Sequence, residues 1–318
     1  MAFKSTYNSG GTYSEVNELR ESLLDIMRDV SPNEDNYFMS NLAKGSAASN
    51  TLQQWNIYHE ARSSSISAKA EGATTVFPDL QAENRSTNYT CILESPIMLS
   101  RTKASIAEIT GEDALGKEKE RALRRLKSQM EYAIVNGAAA AGATASARQL
   151  AGLLGCVTTN VTTYSSTAAL MQSFTETILN DMVQISWNAV GAGYVADVLA
   201  VPVVLKRRVA GFGTNLTRVV PATEKRLTKE VRVYDSEVGP TIMVIAHKDI
   251  PKAAFTTTAF LSREDLFELS FLTKSGEPHW EERAKTGDNV SGTYITEFTL
   301  VSYDEQASVK FAGFATSL

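Results

Sequence analysis

The sequence predicts a mixed α+β fold. Apolar residues recur at helical spacing over residues 111–136 and again over 167–189. Short segments rich in β-branched and aromatic residues lie before, between and after them and predict strands. Because helices and strands do not alternate in a regular βαβ order, a doubly wound or barrel fold is not expected. The 318 residues, of which 43% are hydrophobic, suffice for one large domain or two ordinary ones.

The N-terminal residues predict an arm followed by a short helix. The first fourteen residues are rich in Ser, Gly, Thr and Tyr and offer little to bury, so we expect a mobile arm. Residues 15–28 carry apolar residues at helical spacing, and Ser14 can cap the helix that they predict. Ser31 and Pro32 end it.

A long hairpin is predicted over residues 51–100. The segment TLQQWNIYHE, in which Trp55 and Ile57 lie two residues apart, predicts one strand, and residues 86–99 predict the other. Pro96 favours an edge position, because proline cannot donate a hydrogen bond to a neighbouring strand. A two-stranded hairpin is marginally stable alone, so we expect it to lie on another surface, for which another subunit is a candidate.

The strongest helix prediction covers residues 111–136, with Thr110 as its cap. Its expected buried stripe consists of Leu115, Leu123, Leu126, Met130, Ala133 and Ile134. The run RALRRLK on the same helix is typical either of a nucleic-acid patch or of a solvated face. We favour the solvated face, because Glu118, Glu120 and Glu131 flank the run.

The remaining elements follow in order. The low-complexity segment GAAAAGATAS over residues 137–146 predicts a flexible connector. A second helix is predicted over 167–189, and VADVLAVPVVLKRRVAGF predicts a strand, a break and a helix start. Further strands are predicted at residues 228–234, 241–246, 267–272 and 294–301.

The net charge and the cysteine content argue against a protein that grips DNA, a disulfide-stabilised protein and a zinc-binding protein. The net charge of -5 is unlike that of proteins that grip DNA phosphates, so a protein of this kind that encloses DNA is not expected to hold it tightly. Cys91 and Cys156 form neither a disulfide framework nor a zinc spacing, and we expect buried, inert thiols. The chain begins without the apolar stretch of a signal peptide, which predicts an aqueous, reducing compartment.

The sequence contains no recognisable catalytic motif. His59, His247 and His279 lack metal-ligand spacing, although Glu277, Glu281 and Glu282 lie near His279 and leave a metal cluster as a minor alternative to a solvated loop. For His247 we expect a hydrogen-bonded residue at the end of a strand. Phosphate-binding loops and a nucleophile elbow are also absent from the sequence, so an enzyme is not expected.

Several motifs, in this order, resemble those of HK97-fold major capsid proteins of tailed bacteriophages, and most closely those of SU10-type head proteins. The family's lead into its extended loop resembles VSPNEDNYFMSNLAKGSAASNTLQQW, and its return strand resembles NRSTNYTCILESPIMLSRT, with an NYT-like triplet. The charged spine helix resembles GEDALGKEKERALRRLKSQMEYAIVNG, and the segment after the connector resembles ARQLAGLLGCV. The likeness is good over residues 25–160. It departs at Asn36 and Tyr37, where the family often has Thr-Pro before the phenylalanine, here Phe38.

The resemblance implies an α+β HK97-like capsid fold in four parts. These are an N-terminal arm at 1–50, an E-loop hairpin at 51–100, a P-domain at 101–157 and 263–318 with the spine helix at 111–136, and an A-domain at 158–262. The hairpin is then expected to lie across the P-domain of a neighbouring subunit. The A-domain is expected to point to the axes of hexamers and pentamers.

The implied function is a major capsid protein that self-assembles into the icosahedral shell enclosing phage double-stranded DNA. The resemblance implies no catalysis, no cofactor and no membrane, and a place in the virion after assembly in the host cytoplasm. Portal, scaffold and decoration proteins are further expected partners. The alternatives are an encapsulin-like nanocompartment shell and, from another class, a soluble enzyme or a carbohydrate-binding tail module.

The resemblance also directs attention to contacts made by the hairpin between subunits. Our candidates are Trp55, Arg62, Lys69 and Arg85. Some members of this fold crosslink their subunits through a lysine in this hairpin. No matching partner is visible for Lys69, so we expect it to be a solvated lysine.

Overall fold

The computed structural model of the chain describes residues 36–58, 66–75, 77, 83–105, 114–164, 171–189, 195–212, 232–237, 240–253, 256–273, 276–284 and 287–315. Within them the helices are α1 (Tyr37–Asn41), α2 (Arg101–Ser105), α3 (Ala114–Asn136), α4 (Leu153–Cys156), α5 (Glu176–Asn188) and α6 (Val203–Phe212). The strands are β1 (Ala43–Lys44), β2 (Leu52–Ile57), β3 (Asn84–Tyr89), β4 (Cys91–Ser100), β5 (Val161–Thr163), β6 (Val198–Val201), β7 (Val233–Asp235), β8 (Thr241–Ala246), β9 (Thr258–Ser262), β10 (Phe267–Phe271), β11 (His279–Glu282), β12 (Asn289–Ser302) and β13 (Val309–Ala312). This mixture confirms the predicted α+β class. The helix predicted over 15–28 and its proposed cap lie outside the described residues, as does Thr110.

A five-stranded sheet carries α3. Its order is β1-β10-β12-β11, and β4 pairs antiparallel with β12 over ten residue pairs. Because β11 and β4 pair with the same β12 residues, 292–295, they lie on opposite sides of it. Residues of β4 alternate between burial and exposure, and Ile97 and Leu99 pack against Ala114 and Ala122 of α3. β4 is an edge among the described strands, so the edge position predicted from Pro96 is confirmed.

A six-stranded sheet has the order β5-β13-β9-β6-β8-β7. Its central strands β6 and β9 are buried at every residue, because both faces of the sheet are covered. Leu199 and Val201 join a cluster with α5 and α6, whereas Val198 and Ala200 join the cluster that contains buried residues of α3. β13 lies in this sheet, antiparallel to β9, although its residues fall in the segment 263–318 that we expected beside the spine helix.

The helix predictions were right for α3 and partly wrong for the second helix. α3 ends at Asn136 as predicted, with Leu126, Met130 and Ile134 fully buried. α5 begins at Glu176, since the Thr175 hydroxyl caps it by accepting the backbone N–H of Ile178 at 3.4 Å. Within the predicted segment, residues 171–174 are not helical, and residues 167–170 lie outside the described residues.

The Ala/Gly-rich connector is a folded loop, which corrects the expectation of a flexible segment. Ala140 and Gln149 exchange backbone hydrogen bonds of 3.0 and 3.1 Å, and Ala143 and Ser146 exchange two more. Gly142 turns the chain at a φ of +75°, in the left-handed region that favours glycine. Backbone pairing needs no large side chains, so composition does not reveal it.

One charged residue of α3 lies inside the core. Glu131 is 1% exposed, and its two oxygens accept the backbone N–H groups of Phe38 at 2.9 Å and Met39 at 2.8 Å. His247, directly after β8, lies with Nε2 2.7 Å from the same carboxylate. The backbone N–H of Asp249 donates to Nδ1 of His247, which assigns the ring proton to Nε2. The expectation of a hydrogen-bonded histidine at a strand end is thus confirmed, and the assignment of Glu131 to a solvated face was wrong.

Two kinds of feature, a membrane-spanning helix and a metal-holding group of side chains, are absent from the described residues. Among them, no helix has both the length and the apolar character that crossing a membrane requires. No group of three or more His, Cys, Asp or Glu side chains in this part of the chain is arranged to hold a metal ion.

Candidate assembly interface

A two-stranded hairpin, formed by β2 and β3, belongs to neither large sheet. Its register runs from the Leu52–Tyr89 pair to the Ile57–Asn84 pair. The return strand predicted over residues 86–99 is divided at Thr90: β3 stays in the hairpin, whereas β4 enters the five-stranded sheet. The hairpin therefore continues directly into the sheet that carries α3.

The loop between β2 and β3 presents large apolar side chains to solvent. Ile66 is 94% exposed and Phe77 is 86% exposed. We call these two residues the hairpin tip. Single exposed apolar residues are common on protein surfaces, but these two are almost fully exposed in a loop whose other described residues are mostly small or polar. Such exposure is typical of a surface that a partner covers.

Asn88 anchors the base of the hairpin. Its side chain is buried and uses its complete hydrogen-bonding capacity. Nδ2 donates to the carbonyls of Ala151 at 3.1 Å and Leu300 at 2.8 Å. Oδ1 accepts the backbone N–H groups of Ala151 at 2.8 Å and Tyr89 at 2.9 Å. One amide thus joins β3 to β12 and to the segment before α4.

Thr90 and an ion pair extend this anchor. The Thr90 hydroxyl donates to Oε1 of Glu297 at 2.6 Å, and Arg148 donates to the same oxygen at 2.9 Å. The Arg148 and Glu297 side chains are mostly buried, so water screens their attraction less than at an open surface. We call Asn88, Thr90, Arg148 and Glu297 the base clasp. It fixes the direction in which the hairpin leaves the sheet.

The four predicted contact residues occupy different settings. Trp55 is half-buried on β2, and its indole N–H donates to the carbonyl of Ser302 at 2.9 Å within the chain. Lys69 is exposed in the loop, and Arg85 is exposed on β3, where it pairs in register with Asn56. Arg62 lies outside the described residues. The structure does not bring the three described residues, Trp55, Lys69 and Arg85, together, and the contacts of all four with another subunit stay predictions.

A second exposed apolar surface lies on the outer face of β4. Ile92 is 54% exposed and Met98 is 70% exposed, on the side of the strand that faces away from α3. Glu94 lies between them on the same face and forms an ion pair with Arg283 at 3.7 Å. This face combines apolar contact area with paired charges.

The titratable side chains do not form a catalytic arrangement in the described part of the chain. His279 lies on β11, where its ring contacts the Glu277 carbonyl at 2.8 Å and the Glu281 carboxylate at 3.2 Å. Burial raises the pKa of the Cys156 thiol to about 12, and burial also raises the pKa of Cys91. Both thiols therefore stay protonated near neutral pH, as expected for inert cysteines.

Sequence reasoning did not identify the base clasp. The signal was present, because the triplet Asn88-Tyr89-Thr90 places polar residues in the middle of a strand pattern. Its partners could not be found in this way: Leu300 and Glu297 lie more than 200 residues further along the chain. The arrangement provides a rigidly anchored projection with an apolar end, which suits contact between proteins rather than chemistry.

Comparison with known proteins finds a matching family model and solved structures of similar fold. A family model described as SU10 major capsid protein matches residues 3–315. A chain from Gordonia phage Cozz is similar at a TM-score of 0.63 and 14% identity, covering 98% of this chain and 99% of its own. The capsid of cyanophage P-SCSP1u is similar at 0.63 and 11%, covering 100% of both chains. The holo-SrpI encapsulin complex from Synechococcus elongatus PCC 7942 is similar at 0.58 and 10%, covering 98% of both chains. At these identities the structures show the HK97-like fold alone, and no curated protein matches significantly.

Proposed function

The chain belongs to the SU10 major capsid protein family, and from this premise we propose how its copies join into a shell. The protein is a major capsid protein of a bacteriophage, a structural component and not an enzyme. Many copies of it form an icosahedral capsid. The proposal concerns the contact that holds neighbouring copies together.

The hairpin of each copy lies across the five-stranded sheet of its neighbour. The observation that carries this proposal is the hairpin tip, where Ile66 and Phe77 are almost wholly exposed. Burial of apolar surface is favourable by about 25 cal/mol per Å², so covering two such side chains stabilises a contact between copies. The neighbour's β4 face offers Ile92 and Met98 as apolar counterparts.

The base clasp makes this contact directional. A hairpin that pivoted freely would lose conformational entropy on docking, which would weaken the contact. Asn88 fixes β3 to Ala151 and Leu300, and this rigid attachment lowers that cost. Repetition of one directional contact around an axis produces a closed ring. We propose that these rings are the hexamers and pentamers of the shell.

The division into domains is part of the proposal. The five-stranded sheet and α3 form the P-domain, which receives the neighbouring hairpin. The six-stranded sheet forms the A-domain at the axes of the rings, and β13 belongs with it because it pairs with β9 and β5. Residues 1–50 are assigned to the arm, and β1 at its end pairs with β10 and so attaches the arm to the five-stranded sheet.

The shell encloses double-stranded DNA and is assembled in the host cytoplasm, with portal, scaffold and decoration proteins as further partners. This part of the proposal rests on membership of the family. The encapsulin alternative, a shell around an enzyme cargo, has a likeness in fold at 10% identity, whereas the family model that matches is that of SU10 major capsid protein.

Size measurement and electron microscopy of the purified recombinant protein test the proposal. Sedimentation is expected to show capsomers or shells, and images are expected to show icosahedral particles or rings. Nuclease-protected double-stranded DNA in particles from infected cells would distinguish a phage head from an encapsulin. A stable monomer or dimer under all conditions would contradict the proposal.

A further inference from the structure

The exposed side of α3 carries a group of long polar side chains. Arg125, Lys127, Ser128 and Gln129 are exposed, and Tyr132 is 59% exposed although it lies near buried residues of the same helix. We call the following six residues the basic face: Arg124, Arg125, Lys127, Ser128, Gln129 and Tyr132. None of these side chains belongs to the hydrophobic core clusters of the described residues.

Carboxylates neutralise only part of the charge of this helix. Glu118 pairs with Arg121 at 2.6 Å, and Glu120 pairs with Arg124. Arg125 and Lys127 form no ion pair with any residue that the structure describes. Because they lie two residues apart on the helix, Arg125 and Lys127 point to the two opposite edges of the exposed side of α3. Both cations remain available there to an anionic partner.

The burial of Glu131 raises the net charge of this surface. The basic face holds the three cations Arg124, Arg125 and Lys127 and no carboxylate, a net +3, and Glu120 pairs with Arg124 from the preceding turn. Glu131 adds nothing to the surface, because the α1 backbone and His247 surround its carboxylate in the core. Since the chain carries -5 in total, the remainder carries -8, which is -5 minus +3. The basic face is thus a local exception on an acidic protein.

We propose that the basic face of α3 binds the phosphate backbone of the double-stranded DNA inside the shell, which deepens and rests on the proposed capsid function. Arginine and lysine pair with phosphate oxygens, and Ser, Gln and Tyr side chains donate hydrogen bonds to them. These are the residue types that the basic face presents. The contact does not read base sequence, because sequence readout requires side chains in a groove. The acidic remainder of the chain keeps the binding weak.

Binding to duplex DNA tests this inference in the full-length protein before assembly. The probe is a fluorescein-labelled duplex of about 30 base pairs, followed by anisotropy between about 50 and 200 mM NaCl. The double variant Arg125→Glu/Lys127→Glu is compared with Arg207→Glu/Lys252→Glu, which reverses one exposed arginine and one exposed lysine elsewhere. Both variants change the net charge by the same amount. Arg125→Gln/Lys127→Gln removes the two charges without reversing them, and thermal unfolding checks that each variant folds.

The expected result is weaker binding of the Arg125/Lys127 variants, with the slope of log K against log salt shallower by about 1.8, or about 0.9 for each lost phosphate contact. The control variant is expected to keep the wild-type slope. Equal effects of the two charge-reversing variants, or no effect of either, would overturn the inference, as would tighter binding to polyglutamate than to the duplex. Electron microscopy of the same preparations separates the two proposals. Wild-type shells without the expected difference overturn only the DNA contact, whereas failure of the wild type to form shells overturns the capsid function.

Discussion

Nε2 of His247 lies 2.7 Å from Oε1 of Glu131, and both side chains are 1% exposed. His247 directly follows β8 of the six-stranded sheet and Glu131 lies on α3, and the same carboxylate accepts the first backbone N–H groups of α1. One buried group therefore joins the end of the arm segment to both sheet layers. A buried carboxylate is tolerated only where its hydrogen bonds are complete, and this one accepts three.

Replacing Glu131 by Gln tests this junction. The variant keeps the size of the side chain but presents an amide donor to an N–H donor, so at least one buried group loses its partner. We expect a loss of about 2–4 kcal/mol in the free energy of unfolding, measured by urea denaturation. The control is Glu120→Gln, which removes an exposed carboxylate from the same helix and is expected to cost under about 1 kcal/mol. Equal losses in the free energy of unfolding would show that the buried hydrogen bonds of Glu131 stabilise the fold no more than the exposed ion pair of Glu120 does.

The base clasp predicts a large effect for Asn88→Ala. The substitution leaves the Leu300 carbonyl and both backbone groups of Ala151 without their side-chain partner, at about 1–3 kcal/mol for each buried group. We expect the free energy of unfolding to fall by about 3 kcal/mol or more. Asn56→Ala on β2 removes only an exposed hydrogen bond to Glu83 and is the matched control, with an expected change within about 0.5 kcal/mol. A stability of Asn88→Ala equal to that of the control would contradict the role of the clasp.

The residue pattern within a single segment was enough to predict some of the helices and strands. α3 was predicted from its periodicity, β8 from its apolar run, and the β2–β3 hairpin from two short strands. β9 and β13 were missed, because their short segments TAFLS and VKFA become strands through pairing with partners distant in sequence. Periodicity carries no information on such pairing.

The candidate interface was predicted in outline but not in its residues. The sequence indicated a hairpin that needs a partner, yet Ile66 and Phe77, the most exposed large apolar side chains among the described residues, were not among the candidates. Nor could the burial of Glu131 be recognised from the sequence, since an acidic residue in a charged helix is usually solvated. Its partners Phe38 and His247 lie 93 and 116 positions away along the chain.

The hairpin tip predicts a variant that folds but does not assemble. Ile66→Asp/Phe77→Asp replaces two exposed side chains, so thermal unfolding of the single chain is expected to change little. Buried against a neighbour, each new carboxylate would lose its hydration, and association is expected to fail. Sedimentation measures the assembly, with Ile66→Val/Phe77→Tyr as the conservative control that retains it. Normal shells from the Asp variant would exclude the tip from the contact.

Glu264 predicts a pH dependence of stability. Burial raises its pKa above the ordinary value; the hydrogen bond from Tyr37 opposes this shift, and Asp197 and Asp265 add to it. The folded state therefore holds this proton more tightly than the unfolded chain does. The resulting stabilisation is fully present below the unfolded pKa, about 4.3, and is lost as pH rises through the folded pKa.

Glu264→Gln stays neutral at every pH and keeps the size of the side chain. Its melting temperature is expected to exceed that of the wild type near neutral pH, and the difference is expected to shrink as the pH falls toward about 4. Differential scanning fluorimetry across this range measures it, with Glu71→Gln on the exposed hairpin loop as the control. A difference that grows toward acid pH would contradict the direction of the shift.

The measurement that tests the account most directly is a cryo-electron-microscopy reconstruction of the particles formed by the full-length protein. The account predicts an icosahedral shell in which Ile66 and Phe77 of each copy are buried against the five-stranded sheet of the next. A shell in which both side chains remain exposed, or contact only their own chain, would contradict the proposed contact. The absence of any closed assembly would contradict the capsid function itself.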